Sequence, residues 1–453
     1  MSFNPWLQRQ EGTFQEMSGS ELSLILDRAG EAFRQWRGVS LDTRCNMLKE
    51  MSRTLLARRQ ELAVLMASEM GKPVTQGVAE VDKCALLCTW YAEHTPQILK
   101  PERRDSSAGE SYVCYEPQGI ILGIMPWNFP FWQVFRFIVP SFAGGNAALL
   151  KHASNVPRCA LAIEEIVHDA GFPAGIFRTI FPSHMQVSTL IANRRVRGVS
   201  LTGSNIAGKK IASVAGGHLK KMVMELGGSD PFIVFPDVSV EKAVEAATFS
   251  RFQNGGQSCI AAKRIIVHHD IYDEFRDKFL SAAIALRTGD PLDPHTEVGP
   301  MVSVAAAEDL ERQLEETIQA GARLLCGGRA GEERPALFIP AVVEDVSLSS
   351  PLACEEIFGP VAPLFRFTSA EEAVKMANDT PYGLGAAIWT SDERLAMDLA
   401  HEIDTGTVAI NGVVKSEPGL PFGGVKESGY GRELAVEGLR EFLNIKTVSV
   451  FKP

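Results

Sequence analysis

Two kinds of hydrophobic pattern divide this sequence. From Glu21 to Lys83 the chain is rich in Leu, Ala, Arg and Glu, and Leu62, Leu65 and Met66 follow the spacing of a helix with one apolar face. From Gly119 onward, short apolar or β-branched runs alternate with helical segments; the runs are residues 120–125, 147–150, 177–181 and 196–201. This alternation is typical of a parallel sheet, so the first half predicts a sheet with helices on its faces.

A second series of the same kind begins near residue 232. The apolar runs 232–235 and 264–267 predict two further strands. A helix is predicted after Ser303, a residue type that often caps helices, and Leu310, Leu314 and Ile318 lie on one stripe of it. The sequence therefore predicts a second α/β domain.

Composition excludes some classes of protein. The 453 residues are 45% hydrophobic and 22% charged, which is ordinary for a globular chain of about three domains. The net charge of -10 disfavours a general affinity for nucleic acid or for an anionic membrane. Residues 1–11 lack a basic stretch followed by an apolar core, and no run of about 18 apolar residues occurs. We therefore expect a cytoplasmic protein with no membrane or nucleic-acid partner.

The eight cysteines form no C-x-x-C pair and no cluster with histidine. Neither a disulfide framework nor a zinc site is predicted, and no metal is expected. His268 and His269 are interpreted as the solvated end of a strand. Cys259 is different, because it ends the turn Asn254-Gly255-Gly256-Gln257-Ser258, where glycines let the backbone approach a ligand closely.

Cys259 is a candidate nucleophile; the alternative is a buried cysteine that packs as a small hydrophobic residue. Two other segments favour the catalytic interpretation. Glu225 follows the apolar run 222–224 and precedes two glycines, and its carboxylate is a candidate general base. Asn128 lies between prolines and aromatic residues in Pro126-Trp127-Asn128-Phe129-Pro130, and its amide is a candidate donor to an oxyanion.

These three segments resemble the aldehyde dehydrogenase superfamily, and the resemblance covers nearly the whole chain. The other matching motifs, in order, are Leu149-Leu150-Lys151, Thr202-Gly203-Ser204, Glu356-Ile357-Phe358-Gly359-Pro360, Tyr382-Gly383-Leu384 and Pro421-Phe422-Gly423-Gly424 with Lys426, Ser428 and Gly429. Within the superfamily, the runs 127–137, 224–235 and 257–264 are most similar to the bacterial NAD(P)-dependent succinate-semialdehyde dehydrogenases.

The resemblance implies an α/β fold with a Rossmann-type cofactor domain, an α/β catalytic domain and a small β oligomerisation arm. The dinucleotide-binding domain is expected at residues 1–98 and 118–227, and the catalytic domain at 228–427. Oligomerisation strands are expected at 99–117 and 443–453. The family pairs subunits through such strands, so the strand-like segments 111–116 and 446–451 lead us to expect a homodimer or a dimer of dimers.

The cofactor signal is unusual, since no G-x-G-x-x-G fingerprint follows a predicted strand. Instead Thr202-Gly203-Ser204 leads into a helix predicted over 206–215, whose free N-terminal N–H groups suit a phosphate. Residues 203–209 also match the P-loop pattern G-x-x-x-x-G-K. Lys210 stands where that motif needs Ser or Thr to hold magnesium, so chance is the better explanation of this match.

The resemblance implies a nicotinamide dinucleotide, NAD or NADP. The expected cofactor-binding residues are Trp127, Lys151, Ser154, Gly203, Ser204, Glu356 and Phe358. Ser204 is expected near the pyrophosphate, Lys151 at the adenosine ribose and Glu356 at the nicotinamide ribose. The simpler alternatives are a strand-end charge for Lys151 and a solvated carboxylate for Glu356. Strictly NAD-dependent relatives often carry glutamate where this chain has Ser154, so use of both cofactors is expected.

The expected chemistry follows from the needs of aldehyde oxidation. An aldehyde loses hydride readily only after a nucleophile has added to it, and the Cys259 thiolate is the expected nucleophile. Free cysteine has a pKa of about 8.5, so the site should favour the thiolate or supply a base. The Asn128 amide and the Cys259 backbone N–H are the expected oxyanion donors. Glu225 is expected to activate the water that hydrolyses the thioester, which gives an acid as product.

Fewer residues bear on the substrate. Some semialdehyde dehydrogenases hold the substrate carboxylate with an arginine six residues before the nucleophile and a serine before P-F-G-G; this chain has Gln253 and Glu417 there. Arg136 lies among apolar and aromatic residues and is the expected carboxylate ligand for succinate semialdehyde, with Gln253 a second substrate-binding residue. The alternative for Arg136 is an internal salt bridge to a protein carboxylate.

Two other functions stay open at this point. Trp132, Phe135 and Phe137 would line an apolar tunnel for an aromatic or long aliphatic aldehyde. A retired scaffold with a binding or structural role is the non-enzymatic alternative, although the catalytic candidates are all retained.

Overall fold

The computed structural model describes residues 2–451, so positions 1, 452 and 453 of the expected domains lie outside it. The helices are α1 (Gly19–Trp36), α2 (Leu41–Met70), α3 (Val74–Ile98), α4 (Trp132–Gly144), α5 (Pro157–Asp169), α6 (His184–Ala192), α7 (Asn205–Gly217), α8 (Val240–Phe252), α9 (Tyr272–Ala285), α10 (Val304–Gln319), α11 (Pro351–Cys354), α12 (Ala370–Asn378), α13 (Glu393–Glu402) and α14 (Ala435–Glu441). The strands are β1 (Ser2–Asn4), β2 (Arg9–Gly12), β3 (Glu102–Arg103), β4 (Glu110–Pro117), β5 (Ile120–Met125), β6 (Ala147–His152), β7 (Phe177–Thr179), β8 (Val196–Thr202), β9 (Lys221–Glu225), β10 (Asp230–Val234), β11 (Ala262–His268), β12 (Arg323–Arg329), β13 (Phe338–Glu344), β14 (Val361–Phe367), β15 (Gly385–Trp389), β16 (Thr407–Ile410), β17 (Gly429–Tyr430) and β18 (Leu443–Val450).

The first large sheet has six strands in the order β17-β9-β8-β5-β6-β7. β17 is antiparallel to β9, and all other neighbours are parallel. β5 comes first in the chain among the parallel strands and lies at their centre, with β6 and β7 on one side and β8 and β9 on the other. A sheet wound in this way has a crevice beside its central strand, at the carboxyl ends of the strands, where α/β proteins bind ligands.

The second large sheet has seven strands in the order β12-β13-β14-β11-β10-β15-β16, and only β12 runs antiparallel to its neighbour. The connection 226–229 between β9 and β10 is the short link from one large sheet to the other. The predicted α/β class with two strand-helix series is confirmed.

A smaller sheet joins β3, β4 and β18. β18 pairs antiparallel with β4 over its whole length, from Leu443 opposite Pro117 to Val450 opposite Glu110. The two segments expected as oligomerisation strands are therefore partners of each other within one chain. β1 and β2 form a separate two-stranded sheet.

α4 packs against the first large sheet and is buried on every side. It packs over β5 at Gly123, where any side chain would overlap the ring of Phe137. A residue of α3 holds the start of α4. Glu80 Oε1 accepts the N–H groups of Phe131 and Trp132, each at 2.9 Å. This carboxylate also forms a buried ion pair with Lys72. The chain just after Asn128 is thus held in one position.

Two helices near the site compare closely with the sequence predictions. Ser303 caps α10 as predicted, since its Oγ accepts the Ala306 N–H at 3.1 Å. Leu310 and Leu314 of α10 are buried, but Ile318 is 36% exposed because the stripe leaves the core at the last turn. The helix predicted over 206–215 is α7, which extends slightly further at both ends.

Candidate active site

The nucleophile candidate Cys259 follows a turn in left-handed backbone conformation. Asn254, Gly255 and Gly256 have φ values of 55°, 62° and 70°. Glycine suits two of these positions because it has no Cβ to clash, and Asn254 is held by its own side chain. The Asn254 Nδ2 donates to the carbonyl oxygens of Asn128, at 2.8 Å, and Gln257, at 3.1 Å. These contacts tie the cysteine turn to the loop that carries Asn128.

Asn128 itself is buried, and its Nδ2 donates to the Gln257 carbonyl oxygen at 3.1 Å. That bond uses one of the two amide hydrogens and leaves the other for a ligand oxygen. The Cys259 backbone N–H donates no hydrogen bond within the described residues. An amide hydrogen and a backbone N–H are thus both available near the thiol, as an oxyanion site requires.

The Cys259 carbonyl is held from the opposite side. Lys263 Nζ donates to this oxygen at 3.3 Å and to the Gly228 oxygen at 2.7 Å. A Cβ at Gly228 would lie only 2.6 Å from the Cys259 oxygen. Gly228, in the link between the two large sheets, therefore lets its backbone approach the Cys259 carbonyl closely. This contact fixes the position of the nucleophile turn.

Lys263 was not selected from the sequence, although it is fully buried and pairs with Glu356. Its Nζ lies 2.5 Å from Glu356 Oε1, which also accepts the Gly228 N–H at 3.0 Å. Glu356 is therefore not simply a solvated carboxylate, because a buried cation and a backbone N–H hold it. The sequence signal was the charged pair 263–264 at the start of the otherwise apolar strand β11.

Glu225 ends β9 and is buried, and its Oε1 has no hydrogen-bond partner among the residues described. A Cβ at Gly423 would meet this oxygen at 2.7 Å, so the glycine leaves it open. Burial raises the pKa of Glu225 well above its ordinary value; the charge of Arg136 opposes this shift, and that of Glu433 adds to it. A carboxyl with a raised pKa is a better proton acceptor near neutral pH.

Burial also raises the pKa of the Cys259 thiol, to about 12, against the opposing charges of Arg136 and Lys263. A raised thiol pKa disfavours the thiolate, so the chemistry calls for a nearby proton acceptor, which is the second of the two alternatives expected from the sequence.

Arg136, the expected substrate ligand, lies on α4 and pairs with a protein carboxylate. Its Nε is 2.6 Å from Glu433 Oε2, and both side chains are buried. Glu433 Oε1 in turn accepts the Ser200 hydroxyl at 3.1 Å, and the guanidinium lies over the ring of Phe422 at 4.7 Å. The internal salt bridge considered as an alternative is thus present, although Arg136 also lines a cavity with Cys259.

That cavity has a volume of about 500 Å³. Lys83, Trp132, Arg136, Gln253, Cys259, Ser416 and Glu417 are among its lining residues. Phe135 and Phe137 are not, because they pack in the core instead. The expected apolar tunnel is wrong for these two rings. A helix that is apolar on all sides does not reveal which ring will face a cavity.

Some semialdehyde dehydrogenases have a serine where this chain has Glu417. In this structure the neighbouring residue, Ser416, lines the cavity. Ser416 is buried, and its Oγ accepts from Lys83 Nζ at 2.9 Å and from Trp132 Nε1 at 3.0 Å. Neither Lys83 nor Ser416 was selected from the sequence. A lysine late in a helical, Arg-rich segment gives no signal of its own.

Several cofactor candidates lie at or just after the carboxyl ends of parallel strands in the first sheet. Lys151 lies at the end of β6, and burial lowers its pKa. Within the described residues Lys151 forms no ion pair, and Ser154 lies in the exposed turn that follows. Trp127 follows β5, and its ring meets the ring of Phe358 edge-on at 5.7 Å.

The other wall of the crevice is the start of α7. Ser204 caps this helix through the Ala207 N–H, at 3.4 Å, and a Cβ at Gly203 would contact only the Leu201 side chain, at 3.9 Å. A Cβ at Gly227 would meet Glu356 Oε2 at 2.6 Å and Asn205 Oδ1 at 2.9 Å. This narrow cradle beside a helix N-terminus fits a dinucleotide. Lys209, the P-loop lysine of the chance match, pairs with Glu427 at 2.9 Å.

His268 ends β11, and with His269 and Asp270 it forms a cluster whose donor atoms lie within 4.8 Å of one another. His268 Nδ1 accepts the Asp270 N–H at 3.3 Å, so the turn itself uses one of these nitrogen atoms. None of the three residues of the cluster lines the cavity.

Among the helices of residues 2–451, none combines the length and hydropathy needed to cross a membrane.

A thiol, an amide donor and a buried carboxyl close to a helix N-terminus that suits a dinucleotide are the groups that aldehyde oxidation requires, and comparison with known proteins shows the enzyme class. The aldehyde dehydrogenase family model matches residues 1–448, and the chain belongs to this family. It is 45% identical over 447 residues to the probable NADP(+) succinate-semialdehyde dehydrogenase of Synechocystis sp., covering 99% of this chain and 98% of that protein. It is 44% identical over 450 residues to the NADP(+) succinate-semialdehyde dehydrogenase 1 of Mycobacterium tuberculosis, covering 99% and 98%.

Solved structures agree with this assignment. The fold is similar to succinic semialdehyde dehydrogenase from Streptococcus pyogenes in complex with NADP+, with a TM-score of 0.97, 37% identity and coverage of 100% of this chain and 99% of that one. It is also similar to succinate-semialdehyde dehydrogenase from Burkholderia pseudomallei, with a TM-score of 0.96, 33% identity and coverage of 99% and 94%.

Proposed function

We propose that this enzyme oxidises succinate semialdehyde to succinate with NADP as its preferred cofactor. The observation that carries the proposal is the 500 Å³ cavity, which places the Cys259 thiol in one space with the cations Arg136 and Lys83. Such a cavity suits a short molecule with an aldehyde at one end and a carboxylate at the other. The relatives with full-length similarity carry the same activity in their names.

In the proposed reaction Glu225 accepts the thiol proton of Cys259, directly or through one water. The thiolate sulfur then adds to the aldehyde carbon, and the carbonyl oxygen becomes an oxyanion that the Asn128 amide and the Cys259 N–H stabilise. When bound, the nicotinamide ring supplies the acceptor for the hydride that leaves this carbon. Glu225 then gives the thiol proton up to solvent and removes a proton from water; the resulting hydroxide attacks the thioester carbon, the C–S bond breaks, and succinate and the Cys259 thiolate are released.

The proposed cofactor residues each have a distinct task. The N–H groups at the start of α7 and the hydroxyl of Ser204 would meet the pyrophosphate, and Glu356, held by Lys263, would meet the nicotinamide ribose. Lys151 has no counter-ion within residues 2–451, and a 2′-phosphate would supply one. Ser154 adds no negative charge there. These features favour NADP and do not exclude NAD.

We further propose that the protein is a homodimer or a dimer of dimers in which β18 contributes to subunit pairing. β18 is the outer strand of its sheet, and Ile445, Val450 and Phe451 are exposed on or beside it. An exposed edge with apolar side chains invites a partner strand. A monomer in light scattering at micromolar concentration would contradict this part of the proposal.

The function is tested with a panel of aldehydes and both cofactors, followed by absorbance of the reduced nicotinamide. Succinate semialdehyde should have a kcat/KM at least tenfold above that of butanal, which has the same chain length and no carboxylate. Equal values for the two aldehydes would contradict the substrate assignment while leaving aldehyde oxidation intact.

A further inference from the structure

Arg136 is not a free cation in this cavity. Its charge is already balanced by Glu433, with which it forms a buried ion pair at 2.6 Å. A second negative group at Arg136 would have to share the guanidinium with that carboxylate. A carboxylate substrate would therefore be held more strongly by a cation whose charge is not yet paired.

Lys83 is such a cation. Its Nζ donates to the Ser416 hydroxyl at 2.9 Å and lies 4.2 Å from the centre of the Trp132 ring. Both contacts are with neutral groups, and among the described residues no carboxylate lies within ion-pair distance of Lys83.

Glu80, three residues before Lys83 on the same helix, is fully used elsewhere. Its Oε1 accepts two N–H groups at the start of α4, and its Oε2 pairs with Lys72. A charge taken out of water without a counter-ion is costly. Lys83 therefore lacks a counter-ion among the described residues. It lines the cavity that also contains the Cys259 thiol.

We propose that Lys83 binds the carboxylate of the substrate, with the Ser416 hydroxyl beside it, and that Lys83 determines the specificity for short aldehydes with an anionic end. This inference rests on the proposed function and adds the residue that selects the substrate. The ammonium group is a compact charge, so it recognises the negative charge rather than the planar shape of the carboxylate.

The surroundings of Lys83 make its charge sensitive to pH. Burial lowers its pKa to about 8; the charge of Arg136 on α4 acts in the same direction, whereas Cys84 and Glu80 on α3 and Glu417 on the loop after β16 oppose it. The pKa of the buried Cys84 thiol is well above its usual value, so Cys84 stays neutral in this range. The protonated amine binds the anion, so affinity should be full below about pH 8 and fall as pH rises through it.

The main test compares Lys83→Gln with the native enzyme and with Lys49→Gln, which removes an exposed lysine on α2. With NADP present, Lys83→Gln should lower kcat/KM for succinate semialdehyde about tenfold to a hundredfold, mainly through KM, because a charged hydrogen bond is lost. Turnover of butanal should stay within about twofold. An equal loss on both aldehydes, or no loss on either, would overturn the role of Lys83.

A native enzyme that shows no preference for succinate semialdehyde over butanal would instead contradict the proposed function, so failure of the proposed function and failure of the Lys83 proposal are distinguishable.

A second measurement does not depend on a change in turnover: the inhibition constant of succinate is followed from pH 6 to 10. In the native enzyme inhibition should weaken above about pH 8. In Lys83→Arg, whose guanidinium stays charged, that alkaline loss should disappear. An alkaline loss that is the same in Lys83→Arg would also overturn the inference.

Discussion

The guanidinium of Arg136 and the carboxylate of Glu433 form a buried ion pair, with Nε and Oε2 2.6 Å apart. Both groups act on the pKa of Glu225, in opposite directions. The pair therefore does more than fill the core, because it sets the proton affinity of the candidate base. A substitution in this pair should be visible in the pH dependence of the reaction.

We predict that Glu433→Gln shifts the acid limb of the kcat/KM profile to lower pH. Glu225 must be ionised to act, and its pKa is raised by burial and by the negative charge of Glu433. Without that charge the pKa falls, so Glu225 stays ionised at lower pH. The profile is measured with butanal, so that a change in carboxylate binding does not enter. An unmoved limb, or the same shift in the exposed-site control Glu437→Gln, would contradict the prediction.

The same substitution should cost stability. Arg136 would remain buried without its partner, and breaking a buried pair in this way typically costs about 3–5 kcal/mol. Denaturant unfolding of Glu433→Gln measures this loss. The double variant Arg136→Met with Glu433→Gln should recover much of it, because no charge is then left unpaired.

Cys259→Ala should abolish aldehyde oxidation while leaving NADP binding and the fold nearly intact. The substitution removes the nucleophile and little volume. Activity is followed by absorbance of the reduced cofactor, and binding by fluorescence quenching. Cys354→Ala, at an exposed cysteine, is the matched control and should keep full activity. Substantial activity in Cys259→Ala would remove this thiol from the mechanism.

Glu225→Gln should slow hydrolysis of the thioester more than its formation. In a rapid-mixing experiment we expect a burst of reduced cofactor of about one equivalent per active site, followed by slow turnover. Because Glu225 also accepts the thiol proton in the proposed reaction, the burst rate should fall at neutral pH and recover at higher pH, where the thiol ionises without a base. An unchanged steady-state rate would move the base elsewhere, and Glu433 is the next candidate.

Gly228→Ala should lower kcat by about a hundredfold or more, because the new methyl group would meet the Cys259 carbonyl oxygen at 2.6 Å and displace the nucleophile turn. Gly216→Ala is a suitable control, since nothing lies within 4 Å of a Cβ at that helical position. The control should be neutral or slightly stabilising. If Gly228→Ala had normal activity, the contact would not set the position of the thiol.

Ser154→Glu should select against NADP. A carboxylate in the turn after Lys151 would repel the 2′-phosphate, so kcat/KM for NADP should fall by a hundredfold or more while that for NAD changes little. Ser154→Gln, which has a similar size and no charge, should affect both cofactors equally. A parallel loss of NAD and NADP in Ser154→Glu would mean that the turn acts by shape alone.

The sequence predicted those parts of the molecule that depend on local pattern. Alternating apolar runs predicted two α/β series, and the glycines around Cys259 indicated a tight turn at the nucleophile. Motif resemblance predicted the family, and the residues brought together near the thiol include Asn128 and Glu225.

The parts that sequence reasoning missed depend on partners far apart in the chain. Lys263 on β11 and Glu356, just before β14, are 93 positions apart, and they pair only because β11 and β14 are neighbours in the second large sheet. Lys83 and Ser416 are separated by 333 positions. Ser416 and Glu417 both line the cavity because of the path of an irregular loop, which no hydrophobic period describes.

The pairing of β4 with β18 has a consequence for how the protein is made. Ser111 and Ser449 are hydrogen-bonded at 3.2 Å although 338 positions separate them. At roughly 5–20 residues per second, a ribosome needs roughly 20–70 s to add the intervening residues. Throughout that time the edge of β4 that pairs with β18 has no partner strand, so nascent chains on neighbouring ribosomes present the same unpaired edge to one another. Slower expression at lower temperature, or a chaperone that covers residues 110–117, should therefore raise the yield of folded enzyme.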